Sequence, residues 1–162
     1  MESVRYSEWV PAGALVKGLT ALVAAIIIVF TSFLILLSGE ASAEDFQGLL
    51  FSWGALAFIL FVSWNYRGIR IQITNSRLNV DYGLFNRRSF LLEDIVSCSR
   101  IKACFGRYLG VGVRLGFDGS LAYTTSFGEA VMVVPRKGRR FVFSSNSPDQ
   151  VCSIIGEGVQ PE

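Results

Sequence analysis

The sequence contains no histidine and only three cysteines, Cys98, Cys104 and Cys152. Lack of histidine removes the commonest general base at neutral pH, the Ser-His and Cys-His nucleophile pairs, and most zinc sites. The cysteines are odd in number and form no C-x-x-C pair, so neither a disulfide framework nor a zinc knuckle is indicated, and we expect buried, reduced thiols. We therefore expect no enzyme, no catalytic residue, no metal and no cofactor.

Charge is also missing from two long stretches, residues 18–39 and 46–66. At about 1.5 Å rise per residue, a helix of either length crosses a hydrocarbon core of roughly 30 Å. The second stretch ends with Trp64 and Tyr66, and Arg67 and Arg70 follow it, which is the composition of a membrane-interface anchor. Residues 1–66 are thus predicted to form an N-terminal tail and a two-span transmembrane hairpin.

The short connection between the two spans carries acids and no base. Its acidic residues are Glu40, Glu44 and Asp45, and the bases flanking the pair on the other side are Arg5, Lys17, Arg67 and Arg70. By the positive-inside rule this predicts a multi-pass protein of the cell (inner) membrane with both termini in the cytoplasm. The alternative is that Ala41-Ser42-Ala43 is a signal-peptidase site and the first span is removed, but that span is longer than the usual apolar region of a signal peptide.

Neither span contains an ionisable residue in its core. Ion pathways and proton relays usually need one within the membrane. An anchor is therefore favoured over a small transporter or channel subunit.

After Arg67 the sequence changes to short alternating runs that are broken by turn residues, which is typical of antiparallel strands. In 69–74, Ile69, Ile71 and Ile73 share one face. The predicted strands are 69–74, 78–82, 87–92, 95–100, 112–117, 121–125, 129–135 and 139–144. A final helix is predicted to begin with Ser147 as N-cap and Pro148 in its first position, and to end at Gly156 and Gly158. The fold class is thus α+β, with a small antiparallel β-barrel closed by a C-terminal helix.

Two segments carry a family resemblance. "YRGIRIQITNSRLNVDYGLFNRRSFLLEDIVSC" and "GRYLGVGVRLGFDGSLAYTTSFGEAVMVVPRKGRRFVFSSNSPDQVCSII" resemble the two halves of prokaryotic, membrane-tethered PH-like (bacterial pleckstrin-homology) domains. The resemblance covers roughly residues 66–157 and rests on pattern and turn positions. It implies a cytoplasmic PH-like interaction domain at 67–158, followed by a tail at 159–162.

The glycine-spaced stretch "GVGVRLG" at 110–116 invites comparison with a nucleotide site. A dinucleotide fingerprint needs G-x-G-x-x-G between a strand and a long helix, whereas Gly116 comes one position late and strands are predicted to follow. We interpret the glycines as points of close backbone approach or bulging, and expect no nucleotide.

Basic residues dominate the predicted domain, since 67–162 holds 13 Lys and Arg against 8 Asp and Glu, a net charge of +5. The candidate contacts to an anionic lipid or to a partner are Arg136, Lys137, Arg139, Arg140, Arg87 and Arg88. Basic side chains near an anionic leaflet contribute about 1 kcal/mol each. The alternative is a solvated turn that protects a sheet edge from aggregation. Only Arg77 lies in the first hairpin turn, which disfavours the phosphoinositide site of eukaryotic PH domains, and nucleic acid is not expected.

These observations favour a non-catalytic, membrane-anchored interaction module, an accessory or scaffold subunit of a larger membrane assembly. Its expected partners are the lipid bilayer and either another protein or further copies of itself in the membrane. The alternative function is a peripheral sensor of anionic lipid headgroups.

Overall fold

A computed structural model describes residues 3–37, 43–108 and 110–159. The chain forms two compact units. One contains the described residues up to Ala12 together with those from Tyr66 onward, and the other is formed by residues 13–65. The unit that carries the sheets is therefore interrupted in sequence by the unit that carries the two long helices.

The helical unit consists of α1 (Ala14–Leu37) and α2 (Ala43–Asn65). Both helices are long and apolar enough to cross a membrane. Their polar side chains are satisfied locally, as when the Thr20 hydroxyl donates to the Val16 carbonyl at 2.9 Å. The same hydroxyl lies 3.1 Å from that of Ser63 and so links the two helices. The connection at 38–42, with Glu40, Ala41 and Ser42, lies outside the described residues.

The first sheet, here called the N-terminal sheet, has the strand order β1-β2-β3-β4 and is antiparallel throughout. Its strands are β1 (Val4–Pro11), β2 (Gly68–Thr74), β3 (Arg77–Tyr82) and β4 (Asn86–Leu91). Ile69, Ile71 and Ile73 are fully buried, which confirms the predicted dry face of β2. Burying a side chain of this size stabilises a fold by about 1.5–3 kcal/mol.

Strand β1 was not predicted, because residues 1–17 were assigned to a tail. Its inward face carries Tyr6, Glu8 and Val10, so a carboxylate interrupts the apolar alternation. The structure explains this carboxylate: Glu8 accepts hydrogen bonds from the Ser145 hydroxyl at 2.8 Å and from the Asn146 backbone N–H at 2.6 Å. The domain boundary drawn at residue 67 leaves this strand out.

The second sheet, here called the C-terminal sheet, has the order β5-β8-β9-β7-β6. Its strands are β5 (Ile95–Ala103), β6 (Gly112–Leu115), β7 (Leu121–Thr124), β8 (Gly128–Pro135) and β9 (Phe141–Ser144). Strands β7 and β9 pair in parallel, and the other pairs are antiparallel. In the described parts of the chain no strand pairing joins the two sheets. The structure thus has two open sheets and not the closed, antiparallel barrel that the sequence predicted.

Short helical segments link and cover the sheets. A 3-10 turn spans Leu92–Asp94, a single turn α3 spans Phe105–Tyr108, and α4 spans Pro148–Val159. Pro148 is the first residue of α4, as predicted, but the helix continues through Gly156 and Gly158. A Cβ at Gly158 would lie 2.8 Å from Leu92 Cδ1, so this glycine permits close packing of α4 on the 3-10 turn.

The main core lies between the sheets and under α4. Tyr82 from the first sheet contacts Tyr123 from the second, with ring centroids 5.9 Å apart, and Tyr123 packs edge-on against Phe141 at 4.9 Å. Val151 and Ile155 close the core from α4. Burial, with Tyr66 nearby, raises the pKa of Tyr82 to about 12.

The cysteines depart from the sequence-based expectation. Cys98 on β5 and Cys152 on α4 form a disulfide, with their Cα atoms 5.4 Å apart, and Cys104 is free and exposed. The pairing was missed because 54 positions separate the two cysteines, and only the packing of α4 against β5 brings them together.

Candidate anion-binding cleft

A cleft of about 340 Å³ opens where the edge strand β4 faces the turn between β8 and β9. Both sheets contribute to it, at a place where no strand pairing closes the gap between them. Its lining consists of Arg88, Phe90, Leu121, Pro135, Lys137, Gly138, Arg139 and Phe141.

The alternation of β4 explains one wall of the cleft. Arg88 and Phe90 are two residues apart, so they point to the same side of the strand, while Arg87 points to the other. That side is the core side, because their cross-strand partners Val80 and Leu78 are fully buried. Phe90 packs against Phe141, with centroids 5.3 Å apart, and forms the apolar floor.

The turn between β8 and β9 supplies the opposite wall. Backbone hydrogen bonds hold it at both ends: Arg136 N–H donates to the Asp94 carbonyl at 2.6 Å, and Leu121 N–H donates to the Arg140 carbonyl at 2.9 Å. Gly138 lies at the tip with φ +107°, a conformation that other residues adopt only with strain. The turn therefore presents Lys137 and Arg139 at the cleft from a fixed backbone.

The cleft is positively charged. Arg88, Lys137 and Arg139 line it together with apolar residues and glycine, and no acidic residue is part of the lining. Within the residues that the structure describes, none of these three cations is paired with a carboxylate. Other bases of the domain are paired, for example Arg100 with Glu129 and Asp149 at 2.6 and 2.8 Å. All three cations are exposed, so an anion in the cleft would meet solvated positive charges beside an apolar floor.

The structure thus brings together three of the six basic residues that the sequence singled out. Arg87 points to the opposite side of β4, and Arg136 and Arg140 are outside the lining. Sequence reasoning missed the floor, Phe90, Leu121, Pro135 and Phe141. Phe90 could have been found from its spacing to Arg88, but nothing in the sequence indicates that β4 meets the turn after β8.

The predicted interface anchors fall into two groups. Trp64 is an exposed residue in the last turn of α2. In the sheet unit, Tyr66 accepts a hydrogen bond from the Asn86 side-chain amide at 3.0 Å and packs edge-on against Tyr82 at 5.1 Å.

Arg67 and Arg70 both lie against the ring of Trp9, a residue that was not among the predicted anchors. Their guanidinium carbons lie 5.9 and 6.0 Å from the ring centre of Trp9, which is cation–π geometry. The alternation of inward and outward residues along β1 could have indicated Trp9 as an outward-facing residue.

The glycine-rich stretch has a structural explanation. Gly110 and Gly112 have φ of +144° and +109°, and Gly112 opens β6. A Cβ at Gly116 would lie 2.6 Å from Asp118 Oδ1 and 2.8 Å from Ser120 Oγ, so this glycine is required by close approach. In the described chain, the glycines follow the one-turn α3, lie in or beside β6 and are followed by β7. A dinucleotide fingerprint would instead be followed by a long helix. Positive φ thus accounts for Gly110 and Gly112, and close approach accounts for Gly116.

The turn that Gly116 enters is stabilised by charge. Arg107 donates to the Asp118 carboxylate, and the Ser120 hydroxyl donates to it at 2.6 Å. The Arg107 hydrogen bond, followed by that of Ser120, holds the pKa of Asp118 well below its usual range. With its cation and turn partners satisfied, this carboxylate has a structural role.

Neither a protein-family model nor a curated protein sequence matches the chain significantly.

Proposed function

We propose that this protein is a membrane-anchored, non-catalytic binding module whose cleft takes the anionic headgroup of a lipid. The observation that carries the proposal is the convergence of Arg88, Lys137 and Arg139, unpaired in the described structure, around the apolar floor formed by Phe90 and Phe141. A ligand with a negative head and an apolar stem matches both parts of this lining.

The two long helices α1 and α2 favour a membrane lipid as the ligand. Two helices long and apolar enough to cross a membrane interrupt the domain in sequence, so the unit that carries the cleft is joined to them by the chain on both sides. Arg88 is two residues along β4 from Asn86, which hydrogen-bonds to Tyr66, the residue that follows α2. At about 3.3 Å per residue, only roughly 7 Å of strand separates Arg88 from Asn86.

The finer assignments are part of the proposal. We assign the sheet unit to the PH-like class on the segments quoted above, and both termini to the cytoplasmic side of the cell membrane on the distribution of basic residues around the spans. The Cys98–Cys152 pair argues in the other direction, because disulfides persist mainly in oxidising compartments. The basic flanks carry more weight here, because four bases lie on one side of the spans and none lies in the connection between them.

The binding test uses the full-length chain in a zwitterionic detergent, titrated with a short-chain, water-soluble phosphatidic acid. We expect binding to raise the unfolding temperature, and a zwitterionic lipid of the same chain length to leave it unchanged. The triple variant Arg88→Gln/Lys137→Gln/Arg139→Gln should lose the response. A matched variant, Arg87→Gln/Arg136→Gln/Arg140→Gln, removes the same charge outside the cleft and should keep it.

Two outcomes count against the cleft. Equal loss in both triple variants would mean that the lipid responds to overall charge, and binding by wild type and cleft variant alike would place the site elsewhere. Inorganic phosphate, titrated in parallel, separates the sources of the anion, because a phosphate-only site responds equally to both ligands.

A second candidate function, an accessory or scaffold subunit, is favoured by β6. This strand pairs only with β7 in the described structure and forms an edge of its sheet. Leu115 on β6 and Phe117 just beyond it are exposed. An exposed apolar edge is suited to pairing with an extended segment of a protein partner.

The scaffold function is tested by mild-detergent purification with mass determination of the particle. A complex that the Leu115→Lys variant loses and the Val96→Lys variant keeps would support docking at β6, since Val96 is an exposed residue on the opposite edge strand. A chain that is always recovered alone as a monomer would contradict the scaffold function.

A further inference from the structure

The turn between β3 and β4 exposes two large apolar side chains in succession. Leu84 is 50% and Phe85 is 73% exposed. The turn begins with Gly83 at φ +71°, which fixes its geometry. Phe85 thus projects from a short hairpin tip and has no role in the core between the sheets.

The position of this tip in the N-terminal sheet is set by strand register. Pro11 at the end of β1 lies opposite Gly68 at the start of β2, and Ile69 lies opposite Tyr82 at the end of β3. Tyr82 in turn lies opposite Asn86 at the start of β4. One end of the sheet therefore carries both the chain exits and the turn with Phe85.

The chain leaves this end of the sheet towards both long helices. Residue Ala12 hydrogen-bonds through its N–H to the Arg67 carbonyl at 2.7 Å, and α1 begins two residues later at Ala14. Tyr66 follows the last residue of α2 directly and accepts the hydrogen bond from Asn86, the residue after Phe85. The exposed tip is thus adjacent to a point where the chain passes to a membrane-spanning length of helix.

The same end of the sheet has the chemistry of a membrane interface. Trp9 lies between Arg67 and Arg70, and Arg87 follows the tip on β4. Aromatic rings with nearby arginines are typical of the headgroup level of a bilayer, where the ring is partly apolar and the guanidinium meets phosphate. The end of the sheet that carries the apolar tip thus also carries groups that suit the boundary between headgroups and acyl chains.

We infer that Leu84 and Phe85 insert into the headgroup–acyl boundary of the bilayer that α1 and α2 cross, as a third attachment of the domain. This inference rests on the membrane anchoring in the proposed function, but not on ligand binding in the cleft. Two chain connections alone leave the domain free to tilt about the sheet edge. Insertion of the tip restricts that tilt and keeps one end of the N-terminal sheet against the lipid.

The test places an environment-sensitive NBD fluorophore on the tip of the full-length chain in lipid vesicles. The exposed thiol is first removed by Cys104→Ser, and Phe85→Cys is labelled in that background. The matched control is Asn75→Cys, in the turn between β2 and β3 at the other end of the same sheet. We expect a blue-shifted emission at position 85, quenched by lipids that carry a nitroxide near the headgroup, and a water-like, unquenched emission at position 75.

Water-like emission at both positions would overturn the inference. Quenching at both would also overturn it, because it would show the domain lying flat on the lipid or the fluorophore driving its own insertion. Resistance of the same samples to carbonate extraction reports on the anchoring separately, so loss of the spans is distinguishable from failure of the tip to insert. An unchanged unfolding temperature shows that each labelled variant is folded.

Discussion

The Cys98–Cys152 disulfide links β5 to α4, and the loss of stability on its removal can be calculated from the length of the loop that it closes. The bond closes a loop between cysteines 54 positions apart. In the chain-entropy model, a loop of this length restricts the unfolded state by about 4 kcal/mol. We therefore expect the double variant Cys98→Ser/Cys152→Ser to unfold at a temperature lower by on the order of 15 °C or more, since about 1 kcal/mol shifts a domain of this size by 4–8 °C.

The assay is thermal unfolding of the oxidised full-length protein in detergent, followed by differential scanning calorimetry. Cys104→Ser is the matched control, because it makes the same chemical change at the exposed, free cysteine and should shift the transition little. Reductant should lower the transition of the wild type and of the control, but not that of the double variant. Equal transitions in wild type and double variant would refute the assignment of α4 as a helix held to β5 by a covalent bond.

The redox state of Cys98 and Cys152 in cells reports on which side of the membrane the domain lies. With the domain in the cytoplasm, as proposed, maleimide should alkylate all three cysteines in acid-quenched cells, and the bond should form only after purification in air. Alkylation of Cys104 alone in cells would place the domain on an oxidising side of the membrane and would overturn the proposed topology.

Three further changes test the packing and electrostatics of the sheet unit. Gly68→Ala should destabilise the domain by about 1–3 kcal/mol in denaturant unfolding, because the new Cβ would lie 2.7 Å from the Val10 carbonyl oxygen. The control is Gly106→Ala, since a Cβ at that position has no atom within 4 Å. Glu8→Ala should cost about 2 kcal/mol by removing charge-assisted hydrogen bonds to the loop after β9, and an effect no larger than that of Ser7→Ala on the outer face of β1 would contradict this role. Because the folded-state pKa of Asp118 is lowered, its stabilisation is complete above the ordinary Asp pKa of about 3.9 and is lost as the pH falls below it. The unfolding temperature of wild type should thus fall more steeply between about pH 5 and pH 3 than that of Asp118→Asn, and parallel curves would contradict the Arg107 contact.

Helices and strands with a local sequence signal were predictable from the sequence. The two helices follow from the uncharged stretches, and the strands from β2 to β9 follow from alternation and turn residues, with bounds within about three residues. Pro148 marks the start of α4 because a proline fits the first turn of a helix. Each of these signals lies in the element that it predicts or in the turn beside it.

Features that depend on contacts between distant segments were not predictable in the same way. Strand β1 carries the alternation of a strand, but Glu8 interrupts its inward face and is explained only by a loop 137 positions away. The disulfide depends on the packing of α4 against β5, and the parallel pairing of β7 with β9 depends on the strand order within the C-terminal sheet. The open gap depends on how the two sheets approach each other. The basic residues near the cleft are apparent from the sequence. Which of them line it depends on which face of β4 they occupy and on the conformation of the turn after β8.

The interruption of the domain by the helices has a consequence for its anchoring and its stability. Strand β1 precedes α1 and pairs along its length with β2, which follows α2, so the N-terminal sheet is complete only when the chain has passed through both helices. Without β1, the buried strand β2 becomes an exposed edge, and Glu8 no longer ties this sheet to the loop before α4. Both connections leave one sheet end, and β4 of that sheet carries Arg88 in the cleft. The sheet that is joined to both long helices thus also supplies one wall of the candidate anion-binding cleft, which connects the proposed anchoring and the proposed binding through a single, hydrogen-bonded layer.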